Sequence, residues 1–306
     1  MKRIILSLLA LCGMACPLVQ AASLATVVQD RRVVASDAFF PQINEQGTRL
    51  LYSPTEGTRL YMLALDSTAT RTLVAQGSGL PGFDARISST TGLVYYLTQQ
   101  ASPKRIVLRS VHEWNEATGR DRTIMSNQHG AVHALQGTRG WAVVSEHQVS
   151  GADTAGICVW TLGPNLYVLR DGRTATLQPV AGTVGLLWAS ISPDGKKILV
   201  EAAGKGLYVL DLDGRVIAHT RSLLFPCWLG NDYVVAQTHA NRIILLRADF
   251  SQEQTLTGSN CQQPMVAGDN IVYSTKRGSV YWMKLSFGQP STNYDEIKEV
   301  HSNDND

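Results

Sequence analysis

The side chains best suited by type and spacing to do chemistry are Asp84 and Arg86, two positions apart, and His133. Residues two apart on a strand share a face, so this acid and base could grip a charged ligand together or pair with each other. His133 could ligate a metal or carry a proton near neutral pH, yet no second histidine or carboxylate stands in its neighbouring motif. Glycoside hydrolysis needs two carboxylates facing each other across the substrate, and the strands around Asp84 supply that one alone. Gly77-Ser78-Gly79 lacks the spacing of a nucleophile elbow, and His112-Glu113 lacks the second histidine of a zinc helix. No Cys-x-x-Cys, phosphate-binding loop or haem motif occurs. No catalytic residue, metal site or cofactor is therefore assigned.

The elements that must position these residues follow from a repeat. From Trp188 onward the chain reads as four short apolar strands joined by tight turns, with Asp194-Gly195 and Asp213-Gly214 where a hairpin needs positive φ. The same grammar recurs, with second-strand centres at Leu51, Val94, Val143, Leu199, Val234 and Val272. Third-strand centres fall at Tyr61, Val107, Tyr167, Tyr208, Ile244 and Tyr281. Both series count six, and no stretch after residue 22 sustains a helical apolar period. The expected fold is all-β, a six-bladed β-propeller of four-stranded antiparallel blades over residues 22–300. Residues 111–122 and 146–165 read as lengthened segments of the second and third blades.

Innermost strands are expected at 38–42, 83–86, 132–134, 188–190, 225–228 and 261–265. They would bring Asp84, Arg86 and His133 to the central channel as ligand-binding candidates. Trp188, Phe225 and Trp228 on these strands could stack on sugars, but apolar residues there are ordinarily core. Cys227 and Cys261 stand on the first strands of successive blades and are the expected disulfide, leaving Cys158 as a free thiol. The outer strand of the last blade is either 294–300 or, closing the ring from the other end, 27–35.

The first residues carry an address. Met1-Lys2-Arg3 is basic, 4–16 is an apolar run too short to span a bilayer, and Val19-Gln20-Ala21 offers a small-x-small cleavage site. Residues 1–21 are expected to be a cleaved signal peptide, placing the mature protein in the periplasm or outside the cell. Lys and Arg number 27 against 25 Asp and Glu, a formal +2 that falls to zero without Lys2 and Arg3. That balance argues against nucleic acid, and no later apolar run is long enough to span a membrane. Residues 301–306 read as a polar tail.

Ile191-Ser192-Pro193-Asp194-Gly195-Lys196-Lys197-Ile198, followed by Leu207-Tyr208-Val209-Leu210-Asp211, resembles the TolB-like propeller repeat. Phe40-Pro41-Gln42-Ile43 with Gln46-Gly47 and Leu60-Tyr61 is a second, weaker match, and the resemblance extends over roughly 38–300. Only 22–37 precede the first blade, so the resemblance implies a propeller without the α/β domain that TolB carries ahead of it. It implies a non-enzymatic, monomeric module that binds an envelope protein or glycan. The alternative is a carbohydrate-active hydrolase or lyase working in the channel, which clustered carboxylates or a histidine-rich metal site would favour.

Overall fold

The computed structural model describes residues 23–66, 68–82, 85–88, 92–145, 149–151 and 155–287. The expected signal peptide, Asp84 and residues 294–306 lie outside them. A strand β1 (Thr26–Val34) opens the described chain. Blade 1 is β2 (Phe39–Ile43), β3 (Arg49–Ser53), β4 (Arg59–Ala64) and β5 (Arg71–Gln76). Blade 2 is β6 (Arg86–Ile87), β7 (Leu93–Ala101), β8 (Val107–Asn115) and β9 (Arg120–His129). Two three-stranded blades follow: β10 (Val132–Gln136), β11 (Trp141–Ser145) and β12 (Val149–Ser150), then β13 (Cys158–Leu162), β14 (Asn165–Arg170) and β15 (Arg173–Leu177). Blade 5 is β16 (Leu186–Ile191), β17 (Lys197–Ala202), β18 (Gly206–Asp211) and β19 (Val216–Thr220). Blade 6 is β20 (Leu224–Leu229), β21 (Tyr233–Gln237), β22 (Ile243–Arg247) and β23 (Glu253–Thr255). The last blade holds β24 (Cys261–Ala267), β25 (Asn270–Thr275) and β26 (Val280–Ser286), with β1 as its outer strand.

The propeller therefore has seven blades, not six. Seven apolar clusters confirm the count, one between each neighbouring pair, because each sheet must bury both faces against its neighbours. The strand gradient follows: β17 is almost wholly buried, whereas the outer β19 is largely exposed. The missing blade lay in the stretch expected to be an insert, residues 146–165, which instead supplies β12 and β13. Cys158 is on β13, fully buried beside Ala142, Ala155 and Leu169.

Blade 4 also runs in the opposite sense. Its first strand begins beside the hairpin that ends β10, where the Thr138 N–H donates to Ile157 O (3.1 Å). It finishes where the Leu186 N–H, at the start of β16, donates to Gly163 O (2.7 Å). β13 is thus antiparallel to both β10 and β16, so no repeat phase learned from the other blades predicts it.

The ring closes by the second of the two expected routes. β1 pairs antiparallel with β26 from Thr26↔Ser286 to Val34↔Val280. Arg31 lies over the Trp282 ring at 4.5 Å, and the Tyr273 hydroxyl donates to Asp30 at 3.0 Å. Antiparallel order sorts the connections onto two faces. In the four-stranded blades the hairpins between second and third strands share a face with the blade-to-blade crossovers, here called the crossover face. The remaining hairpins lie on the opposite face.

Candidate functional site

The predicted channel residues fall in different surroundings. Arg86 is half-buried on β6 of blade 2 and donates from Nη1 to Ala85 O (2.9 Å). Its charge reaches Cys227 of blade 6, where it opposes the effect of burial on the thiol. His133 is exposed on β10 and lines a shallow cavity with Val144, Ser145, Trp160 and Thr161, between blades 3 and 4. Arg86 thus looks across the ring, while His133 serves a crevice in its wall.

Cys158, Cys227 and Cys261 are all unbridged. The Cys227 sulfur rests 3.5 Å from Pro264 O and 3.7 Å from the Met265 sulfur. Burial pushes the Cys227 thiol up to about 12 and Cys158 to about 11, so both are protonated at neutral pH and poor nucleophiles. Among the described residues no three His, Cys, Asp or Glu side chains converge as a metal site. Trp228 is buried between blades 5 and 6, with Trp188 packed against it, so both serve the core.

On blade 2, Asp121, His112 and Thr98 line up in the order of a nucleophilic triad. His112 Nδ1 is 3.6 Å from Asp121 Oδ2, and its Nε2 is 3.0 Å from Thr98 Oγ1. The three belong to neighbouring strands of one sheet, and Tyr96 stacks on the imidazole while donating to Asp121 (2.8 Å). The row is a cross-strand polar ladder that ties β7, β8 and β9 together.

A different site is built where the inner strands enter from the crossover face. Blades 6, 7 and 1 share one irregularity there: a bulge whose residue before proline has positive φ. These residues are Phe225 (49°), Gln263 (55°) and Phe40 (50°), preceding Pro226, Pro264 and Pro41. A side chain in the left-handed region costs about 1–2 kcal/mol, and proline crowds the residue before it further. Such strain persists where surrounding structure over-determines it, and it marks places where the fold serves another purpose.

Glutamine amides hold the bulges in place. The Gln263 N–H donates to Gln237 Oε1 of blade 6 (2.9 Å), and the Phe40 N–H donates to Gln263 Oε1 of blade 7 (2.9 Å). Gln42 continues the relay into blade 2, donating to Ala85 O and accepting from the Ile87 N–H (3.2 Å). Gln237→Leu strands the Gln263 N–H, at an expected cost of about 2 kcal/mol and a thermal midpoint about 5 °C lower. An unchanged melt of that variant by circular dichroism would remove the relay from the account of stability.

Apolar side chains stand in solvent at this rim of the channel, on the bulge of blade 6 and at the entry to blade 5. Phe225 is 45% exposed, Leu187 at the start of β16 is 66% exposed, and Val184 in the preceding crossover is 88% exposed. The Phe-Pro pairs are visible in the sequence, but nothing local says that Phe225 faces water while Trp228, three residues on, is core.

Beneath this rim Glu201 is buried, 6% exposed, with Oε2 lacking a hydrogen-bond partner among the described residues. Its other oxygen accepts from Ser222 Oγ. Burial holds the carboxyl above its ordinary value, against the opposing pull of the Ser222 and Leu223 hydrogen bonds and the His239 charge. A raised folded-state pKa favours the protonated form, so this contribution is present below pH 4.5 and is lost as pH climbs through the raised value. Glu201→Gln should therefore melt higher than wild type at pH 8, by about 1–2 kcal/mol, with no gain at pH 4. Equal gains at both pH values would show that ionisation is not the cause.

No family model and no curated protein matches this chain. Among solved structures it is similar to TolB from Acinetobacter baumannii, at 14% identity and a TM-score of 0.49, over 86% of this chain and 58% of that one. It is similar to the WD40 β-propeller domain of Doa1, at 9% identity and a TM-score of 0.57, over 85% and 96% of the two chains. A chain of the Mitotic Checkpoint Complex shares 7% identity with a TM-score of 0.58, over 94% and 99%. At such identities the likeness is one of architecture alone, and in the latter two it agrees with the blades: this chain is a β-propeller.

Proposed function

We propose that this protein is a non-enzymatic binding module of the cell envelope that takes a protein partner on the crossover-face rim of its channel. One observation carries the reading. Three neighbouring blades keep strained bulges before proline, and with them an exposed phenylalanine, whereas the inner strands of blades 3, 4 and 5 have no positive-φ residue. Exposed apolar groups around a channel mouth supply the anchors that protein interfaces use. Met1-Lys2-Arg3, the apolar run after it and Val19-Gln20-Ala21 support export, with cleavage after Ala21.

The test is a pull-down from envelope extract with the mature protein, residues 22–306, beside a Leu187→Ser/Phe225→Asn variant. Recovery of one stoichiometric partner by wild type and its loss with the variant is the expected result. Equal recovery by both would move the site elsewhere, and recovery by neither would overturn the reading.

A further inference from the structure

The two faces of the propeller carry opposite charge, for different reasons. On the opposite face the described hairpins hold nine acids against three bases. Turn chemistry explains them: Asp66, Asp194 and Asp249 each accept a hydrogen bond from a backbone N–H two residues on. Asp66, Glu116 and Asp232, among others, also sit beside an Arg or Lys of the same face.

The crossover face is the reverse. Its described second-to-third-strand hairpins carry Lys104, Arg105, Lys205, Arg242, Lys276 and Arg277 against a single acid, Glu56. Lysine and arginine do nothing for a tight turn, and among the described residues none of the six forms an ion pair. Lys205 Nζ ties its hairpin to the preceding crossover by donating to Ala181 O (2.7 Å), but the six charges as a set answer no acid among the described residues; they surround the apolar lip, and their complement is an acidic segment with interspersed apolar side chains.

The chain itself contains one. Residues 288–306 include Asp295, Glu296, Glu299, Asp304 and Asp306 against Lys298, with Tyr294, Ile297 and Val300 between them. β1 already fills the outer-strand position of the last blade, so the sheet has no need of them there. The reach also fits. β26 ends on the opposite face, and the hairpin of Lys276 and Arg277 lies at its other end, about 30 Å back along the strand. Eight to twelve extended residues beyond Phe287, those carrying Asp295 to Glu299, cover about 26–40 Å.

We propose that the acidic C-terminal segment, residues 288–306, docks on the basic crossover face of its own propeller and competes there with the partner. This rests on the reading of that face as the binding surface. Docking is electrostatic and gives way to salt, and it lowers partner affinity by the fraction of time the rim is covered.

The test is hydrogen–deuterium exchange on the mature chain at low salt, beside a variant carrying Asp295→Asn, Glu296→Gln, Glu299→Gln, Asp304→Asn and Asp306→Asn. Amides of hairpins 238–242 and 276–279 should exchange about threefold faster in the variant, and opposite-face hairpins should not change. Lys276→Glu with Arg277→Glu, on the unaltered tail, should speed hairpin 238–242 similarly. Unchanged exchange at both hairpins overturns the proposal, as does protection confined to β1, which would mean edge pairing. A tail-dependent rise in mass with concentration also overturns it, by placing the segment on a second copy. If the pull-down still recovers a rim-dependent partner, the tail has failed and the binding face stands. If the lip variant recovers the partner equally, it is the binding face that has failed.

Discussion

A chain that starts at residue 35, without β1, should unfold about 10 °C below a chain of residues 22–306 and lose the single cooperative transition. β1 is mostly exposed, so little of this loss is hydrophobic. The strand contributes a backbone ladder along the whole of β26, the Arg31–Trp282 contact and the Asp30–Tyr273 hydrogen bond. Together these are worth about 3–5 kcal/mol net of ordering, and a protein of this size shifts about 2–4 °C per kcal/mol. The larger consequence is topological. β1 is the link by which the first described strand lies in the last blade, and without it blades 7 and 1 meet through side-chain packing and a few isolated hydrogen bonds, such as the Ala38 N–H to Gly278 O and the Phe40 N–H to Gln263 Oε1. β26 would become an open edge, so the shortened chain should also self-associate. Scanning calorimetry with light scattering reads both effects. A midpoint within 2–3 °C of the 22–306 chain would show that the remaining contacts between blades 7 and 1 suffice.

Phe225→Asn combined with Leu187→Ser should weaken partner binding about 30-fold, or about 2 kcal/mol, while the melting midpoint stays within about 3 °C of wild type. The separation comes from the backbone. Asparagine tolerates the left-handed region, so relief of strain at φ 49° returns about 1 kcal/mol. Loss of a ring that is half in water costs a similar amount. Leu187 is still more exposed, and its removal should leave stability nearly untouched. Residues held for packing behave the other way: Trp228→Ala, three positions along β20, should cost about 3–5 kcal/mol. Titration of the captured partner against each variant, with melts run alongside, distinguishes the two classes. A lip variant that lost stability in step with binding would mean that Phe225 belongs to the core and not to the site.

The sequence alone determined what is local. The Ser192-Pro193-Asp194-Gly195 turn closes through its own side chains, with the Lys197 N–H donating to Ser192 Oγ at 2.9 Å and Gly195 at φ 72°. Apolar pattern and turn residues were enough to place six of the seven inner strands, near Phe39, Arg86, Val132, Trp188, Phe225 and Cys261 but not β13, because both act over a few residues. The acids of the opposite face are legible for the same reason, since the turns that use them are written beside them. Tertiary structure decided everything that depends on the choice of a distant partner. Whether β11 pairs with β12 or with β14 cannot be read from a strand pattern that suits either, and that choice turned one expected blade into two. The ring could be closed by either end of the chain on sequence grounds, and the register along β26 selected β1. The bulged rim arises the same way: Phe40, Gln263 and Phe225 are far apart in sequence, and they share one lip because three adjacent blades repeat a bulge on one face. Strand identity is a local property of the chain, whereas blade number, closure and exposure are set by which strands find each other.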